Sequence, residues 1–169
     1  MDQNYFIEHL KHSAETIRSL VSGVSDEQAR WKPDEEAWSI LEVVNHLYDE
    51  EREDFRQRVH YFLNLPGQDF PPINPKGWVS ERGYNHRDLA ESIRNYQSER
   101  AKSLEWLKSL GQVDWNIVRT APFGQIRAGD IFVAWAAHDL LHIRQLVELH
   151  WAWNVQKAQP FEVGYAGDW

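Results

Sequence analysis

Residues 130–147, DIFVAWAAHDLLHIRQLV, decide the fold. No proline or glycine interrupts them. Apolar residues fall on almost every face of an α-helix: Ile131, Phe132, Val133, Ala134, Trp135, Ala136 and Ala137, then Leu140, Leu141, Ile143, Leu146 and Val147. A helix that is apolar all round is a central one, covered by other elements. The run predicts such a helix from about residue 130 to 153.

Working outward, three other segments carry the same period. The first spans about residues 2–21, with Phe6, Leu10, Ile17, Leu20 and Val21 apolar. The second begins at Ser39, where Ser39 and Glu42 have the spacing of a capping box and Trp38 is placed to act as a hydrophobic staple. It continues through Val43, Val44, Leu47, Tyr48, Phe55, Val59 and Phe62 and stops before Pro66-Gly67. The third spans about residues 87–110 and ends at Gly111, a favoured residue just past a helix. Four helices of about 20 residues predict an all-α protein, a four-helix bundle with long connecting loops, in one domain over residues 1–169.

The connections add detail. Residues 64–86 are rich in Pro and Gly and long for a structureless loop, which suggests a lid or binding loop. Trp78, Arg82 and Tyr84 are its candidate substrate contacts. In the link 111–129, residues 116–120 predict a short strand and residues 122–124 a turn. In the tail 154–169, Phe161, Tyr165 and Trp169 are expected to pack back onto the bundle.

Composition removes several function classes. There is no cysteine, hence no disulfide, thiolate nucleophile or thiolate metal ligand. The net charge is −8, which argues against nucleic acid and anionic lipid as partners. The longest charged stretch, 49–54, is mostly acidic and reads as a solvated helix face. No apolar run is long enough to span a membrane, and the N-terminus lacks the layout of a signal peptide. A cytoplasmic location is expected.

Of the eight histidines, five need no function. His60, His86 and His150 are read as lying near helix ends. His9 and His12 form an i,i+3 pair on a polar face without a third ligand. His138 and His142 differ: they stand at i,i+4 on the most apolar helix, so their imidazoles share one face. Buried imidazoles need partners. Either a metal ion or carboxylates such as Asp139 or Glu42 would supply them. His46, among Val43, Val44 and Leu47, borders the core on the second helix and favours the metal. Three histidines with an open fourth position form a catalytic rather than a structural site. Imidazole donors suit Zn or Ni first, with Fe, Mn and Cu as alternatives. Glu42, Glu50 and Asp139 are the nearest groups to orient the ring N–H groups, and Gln145, one turn past His142, is placed to line the pocket. A zincin motif would need Glu where Asp139 stands. A di-iron bundle would need Glu three residues before a histidine, and none of the eight has it.

Two blocks resemble the DinB/YfiT-like superfamily of metal-binding four-helix bundles. One is 30–33, RWKP, followed by 36–47, EAWSILEVVNHL; the other is 138–146, HDLLHIRQL. Their order and their separation of about ninety residues both fit, and the likeness covers roughly residues 5–155. The resemblance implies a metal held by His46, His138 and His142, and often a homodimer. It also implies thiol-dependent chemistry of the S-transferase or isomerase kind, with bacillithiol, mycothiol or glutathione as co-substrate. Other members of the family are metal-dependent hydrolases. Three functions are therefore expected to compete: a metal-dependent thiol transferase using a low-molecular-weight thiol, a metal-dependent hydrolase, and a non-enzymatic bundle that binds metal or a small ligand.

Overall fold

The computed structural model describes residues 1–121 and 124–167. Helix α1 is Gln3–Val21, capped by the Asp2 side chain, which accepts from the Tyr5 N–H. A short helix α2, Asp26–Arg30, follows. Helix α3, Ile40–Asp49, begins with the expected capping box: the Glu42 N–H donates to the Ser39 hydroxyl and the Ser39 N–H to the Glu42 carboxylate. The rod continues as a π-helical turn over Glu50–Phe55 and then as α4, Arg56–Asn64. Helix α5 is Pro75–Glu81 and α6 is Leu89–Ser109. Strands β1, Val118–Ala121, and β2, Gly124–Arg127, pair antiparallel. Helix α7 is Ala128–Ala158, 31 residues long. Gly111 has φ +64°, the left-handed value expected just past α6.

Four long elements form the predicted bundle: α1, the α3–π–α4 rod, α6 and α7. Helix α1 packs on α6 and α7, α3 packs on α6, and both α3 and α4 meet α7. The core divides into two apolar clusters. One gathers Ile7, Leu10, Phe55, Val59, Phe62, Leu107, Trp115, Phe132 and Trp135. The other gathers Ala14, Ile17, Val43, Val44, Leu47, Tyr96, Leu146 and Leu149. Each of the four elements contributes to both. At the changeover α6 carries Arg100, the π turn carries Glu51 and α7 carries Asp139, all nearly inaccessible to solvent. Arg100 donates to both oxygens of Glu51 (2.9 and 2.8 Å), to both of Asp139 (2.6 and 2.9 Å) and to the Leu10 carbonyl (2.8 Å). The Trp135 indole N–H donates to Glu51. A charged layer thus crosses the middle of the bundle.

Several expectations need correction. The second helix is not uniform, because the π turn inserts an i→i+5 segment into it. Residues 64–86 are not an open loop. They contain α5 and a 3₁₀ turn at Tyr84–His86, and they are tied to the rod. The Tyr84 hydroxyl donates to Asp49 at 2.5 Å, and Arg82 bridges Asp49 and Glu53 while lying 4.1 Å over the Trp78 ring. Trp78, Arg82 and Tyr84 therefore anchor this segment to the rod. The tail does not pack back: Phe161 is 78% exposed and Tyr165 fully so, because α7 carries the chain past the core before it turns. Trp169 and most of the predicted 122–124 turn lie outside the described residues. Among the described residues, no helix is long and apolar enough to cross a membrane.

Candidate metal centre

His46 is in the last turn of α3, beside Leu47, and His138 and His142 project from successive turns of α7. Packing of α3 against α7 brings the three together. The Nε2 atom of His138 lies 3.3 Å from that of His46 and 3.1 Å from that of His142. One nitrogen from each ring falls within 4.8 Å of the others. His46 and His142 are buried and His138 is half-buried. Trp38 forms one wall, with its ring 4.8 Å from His46 and parallel to His142 at 6.3 Å. Phe55, set by the π turn, forms another, 5.0 Å from His138.

Hydrogen bonds alone do not satisfy this cluster. The ring nitrogen Nε2 of a neutral imidazole is either one donor or one acceptor, so His138 Nε2 can bond only one of its two neighbours. Protonation is not the remedy either. Burial first, then the charges of His142 and His138, push His46 down to about 2 from an ordinary 6.5. Burial, then His142 and Arg100, push His138 down to about 3. Burial also lowers His142, with the Gln145 hydrogen bond opposing. Three neutral imidazoles that aim lone pairs at one point can hold a cation. Two nitrogens bound to one zinc at about 2.0–2.1 Å in a tetrahedron stand roughly 3.4 Å apart, close to the spacings here. The donor set fits a divalent transition metal.

The groups expected around the rings behave differently from one another. Gln145 Oε1 accepts from His142 Nδ1 at 2.8 Å, so it fixes that ring and leaves Nε2 as the lone-pair nitrogen. Glu42 and Asp139 were expected to orient imidazoles and do not. Glu42 is used by the Ser39 cap and by Lys32 at 2.8 Å, and both oxygens of Asp139 are taken by Arg100. Glu50 is buried on the rod one turn beyond His46; it makes no bond to an imidazole, and its Oε1 has no partner. Burial first, then the charge of Asp54 and a hydrogen bond with it, raise the Glu50 carboxyl to about 8, with Arg58 opposing and Asp49 adding. His46 Nδ1 is likewise buried without a partner. His150 lies inside α7 and not near its end, and is satisfied by the Leu20 carbonyl and Gln28. Sequence reasoning took Trp38 for a staple only and gave Phe55 no role at the rings. The i,i+8 spacing from Trp38 to His46 places both on one side of a helix only if Trp38 continues its line, and it precedes the first turn.

Fold and cluster together define a class: a four-helix bundle with three histidines from two facing helices turned onto one point. The family model of the DinB superfamily matches residues 9–146, and the chain belongs to that superfamily. Among solved structures it is similar to YfiT from Bacillus subtilis, described as a probable metal-dependent hydrolase with an unusual four-helix bundle topology. The identity is 19%, the TM-score 0.76, and the likeness covers 87% of this chain and 85% of that one. No curated protein matches the sequence.

Proposed function

We propose that this protein is a metal-dependent enzyme that holds one divalent ion through His46, His138 and His142. The convergence of His46 and His142 Nε2 on His138 Nε2, at 3.3 and 3.1 Å, carries the reading. Zn or Ni is the favoured ion, with Fe, Mn and Cu as alternatives. Bound with a position left open, such an ion lowers the pKa of a thiol or water and yields a nucleophile near neutral pH. Gln145 keeps the His142 ring in its ligating tautomer. Trp38 and Phe55 keep the flanks of the rings apolar, which strengthens electrostatic interactions at the site. The chain has no cysteine, so a thiol nucleophile comes from a low-molecular-weight co-substrate, and the reaction is S-transfer to an electrophile. The aromatic walls favour this reading. The likeness to YfiT favours a second one, hydrolysis by activated water. A homodimer belongs to the proposal, since Leu140 and Leu141 give α7 an exposed apolar face.

Elemental analysis of protein made without a histidine tag is expected to find about one equivalent of metal per chain, as one three-histidine site requires. His46→Ala is expected to abolish it. Reconstituted protein is then assayed with electrophiles and a panel of thiols, and separately with esters and amides. Turnover that needs a thiol supports transfer, and turnover without one supports hydrolysis. Wild-type protein that binds no ion, or His46→Ala protein that binds it equally well, overturns the metal reading. A loaded protein inert in every assay supports the non-enzymatic bundle.

A further inference from the structure

Three buried side-chain polar atoms among the described residues lack a hydrogen-bond partner, and two of them belong together. His46 Nδ1 and Glu50 Oε1 lie at i and i+4 on one helix, and the Glu50 N–H still bonds the His46 carbonyl in α-helical fashion. Side chains on a helix lean toward its N-terminus, the direction of the turn that carries His46; the Glu50 carboxyl meets Asp54, and its Oε1 is left without a partner. A buried acceptor left unbonded costs about 1–3 kcal/mol, and so does a buried donor. Two such atoms on adjacent turns are the complementary halves of one hydrogen bond.

What joins them is the tautomer of His46. When Nε2 gives its lone pair to a metal, the ring proton sits on Nδ1, which becomes a donor aimed away from the ion. We propose that Glu50 is the positioning residue for His46, accepting the Nδ1–H in the metal-loaded protein and completing a carboxylate–imidazole–metal line. Gln145 does the same for His142 and already makes its bond. Ligands on both helices are then braced from behind, one by a carboxylate and one by an amide. The inference rests on the three-histidine reading of the site.

The test compares wild type, Glu50→Gln and Glu50→Leu. Metal affinity is measured by competition with a chromophoric chelator, and the stability of the metal-free protein by denaturant melts. Outer groups of this kind change metal affinity by about 10–100-fold. Glu50→Leu is expected to weaken zinc binding by that factor while leaving the metal-free protein about as stable near neutral pH, since the buried oxygen that lacks a partner goes together with the bond to Asp54. Glu50→Gln keeps an acceptor oxygen and is expected to stay within a few-fold of wild type. In nitrogen-detected histidine NMR of the zinc form, a protected Nδ1–H of His46 is expected in wild type and lost in Glu50→Leu. Equal affinity in wild type and Glu50→Leu overturns the proposal and leaves the metal site standing. So does a fall in affinity matched by loss of metal-free stability without any change in the Nδ1–H signal. Absence of binding in wild type defeats the underlying reading instead.

Discussion

At the scale of single residues, the metal-free site sets its own pH dependence. His46 and His138 titrate at about 2 and 3 in the fold against 6.5 in an open chain. Below 6.5 the unfolded chain therefore takes up protons that the fold refuses, and stability falls as pH falls. Glu50 works the other way, with about 8 in the fold against 4.5 unfolded. Between those values the fold holds the extra proton, so stability falls as pH rises. Between 4.5 and 6.5 the two histidines outweigh the one carboxyl; from 6.5 to 8 the carboxyl acts against no histidine. Denaturant melts of metal-free protein are expected to show a maximum near pH 6.5, and Glu50→Leu is expected to remove the decline above it. A wild-type profile that rises steadily to pH 8 would contradict this assignment. The histidines were legible in the sequence because i,i+4 spacing in an apolar run leaves few other readings. Their neighbours were not. Which carboxylate meets which ring depends on helix rotation, and Asp139, between two ligands in sequence, is turned aside to Arg100.

Among the elements, the π turn is the feature that periodicity could not show. Apolar residues at Leu47, Phe55, Val59 and Phe62 look like one helix because the extra residue is absorbed within the acidic stretch, where no apolar position marks the change. Its effect is to place Glu51 toward Arg100 and Phe55 toward His138 from adjoining turns. An i→i+5 turn holds one residue more than an α turn, so deletion there lets the rod close as α-helix with α4 still in place. Deletion of Arg52, a partly exposed residue that pairs with buried Asp49 and with Glu53 and lies over the Tyr48 ring, is expected to leave a cooperatively folded protein. Deletion of Gln57 rotates Val59 and Phe62 by about 100° out of the core and is expected to abolish the folded state. Circular dichroism melts of the two deletions check this, and equal damage from both would refute it. The 64–86 segment was misread for a related reason. Its Pro and Gly suggest a loop, but three of its residues, Trp78, Arg82 and Tyr84, fasten it to the rod through Asp49 and Glu53.

For the whole molecule, four helical periods and their order were enough to give the bundle, because the apolar stripes leave little choice of what to bury. The charged layer was beyond that kind of reading, since Arg100 looks like any surface arginine of a charged helix. Arg100→Met alone strands Glu51 and Asp139 and is expected to cost about 3–5 kcal/mol in chemical denaturation. Adding Glu51→Gln, which still accepts from Trp135, and Asp139→Leu is expected to recover most of that loss. If the single change costs under about 1 kcal/mol, the layer is not the buried ion network described. The half containing Val43, Val44, Leu146 and Leu149 is expected to exchange its amide hydrogens at rates different from those of the half around Phe62, Trp115 and Phe132. His46 and His142 sit on α3 and α7 beside the first of these halves, so a partial, transient excursion there would let an ion enter or depart without global unfolding.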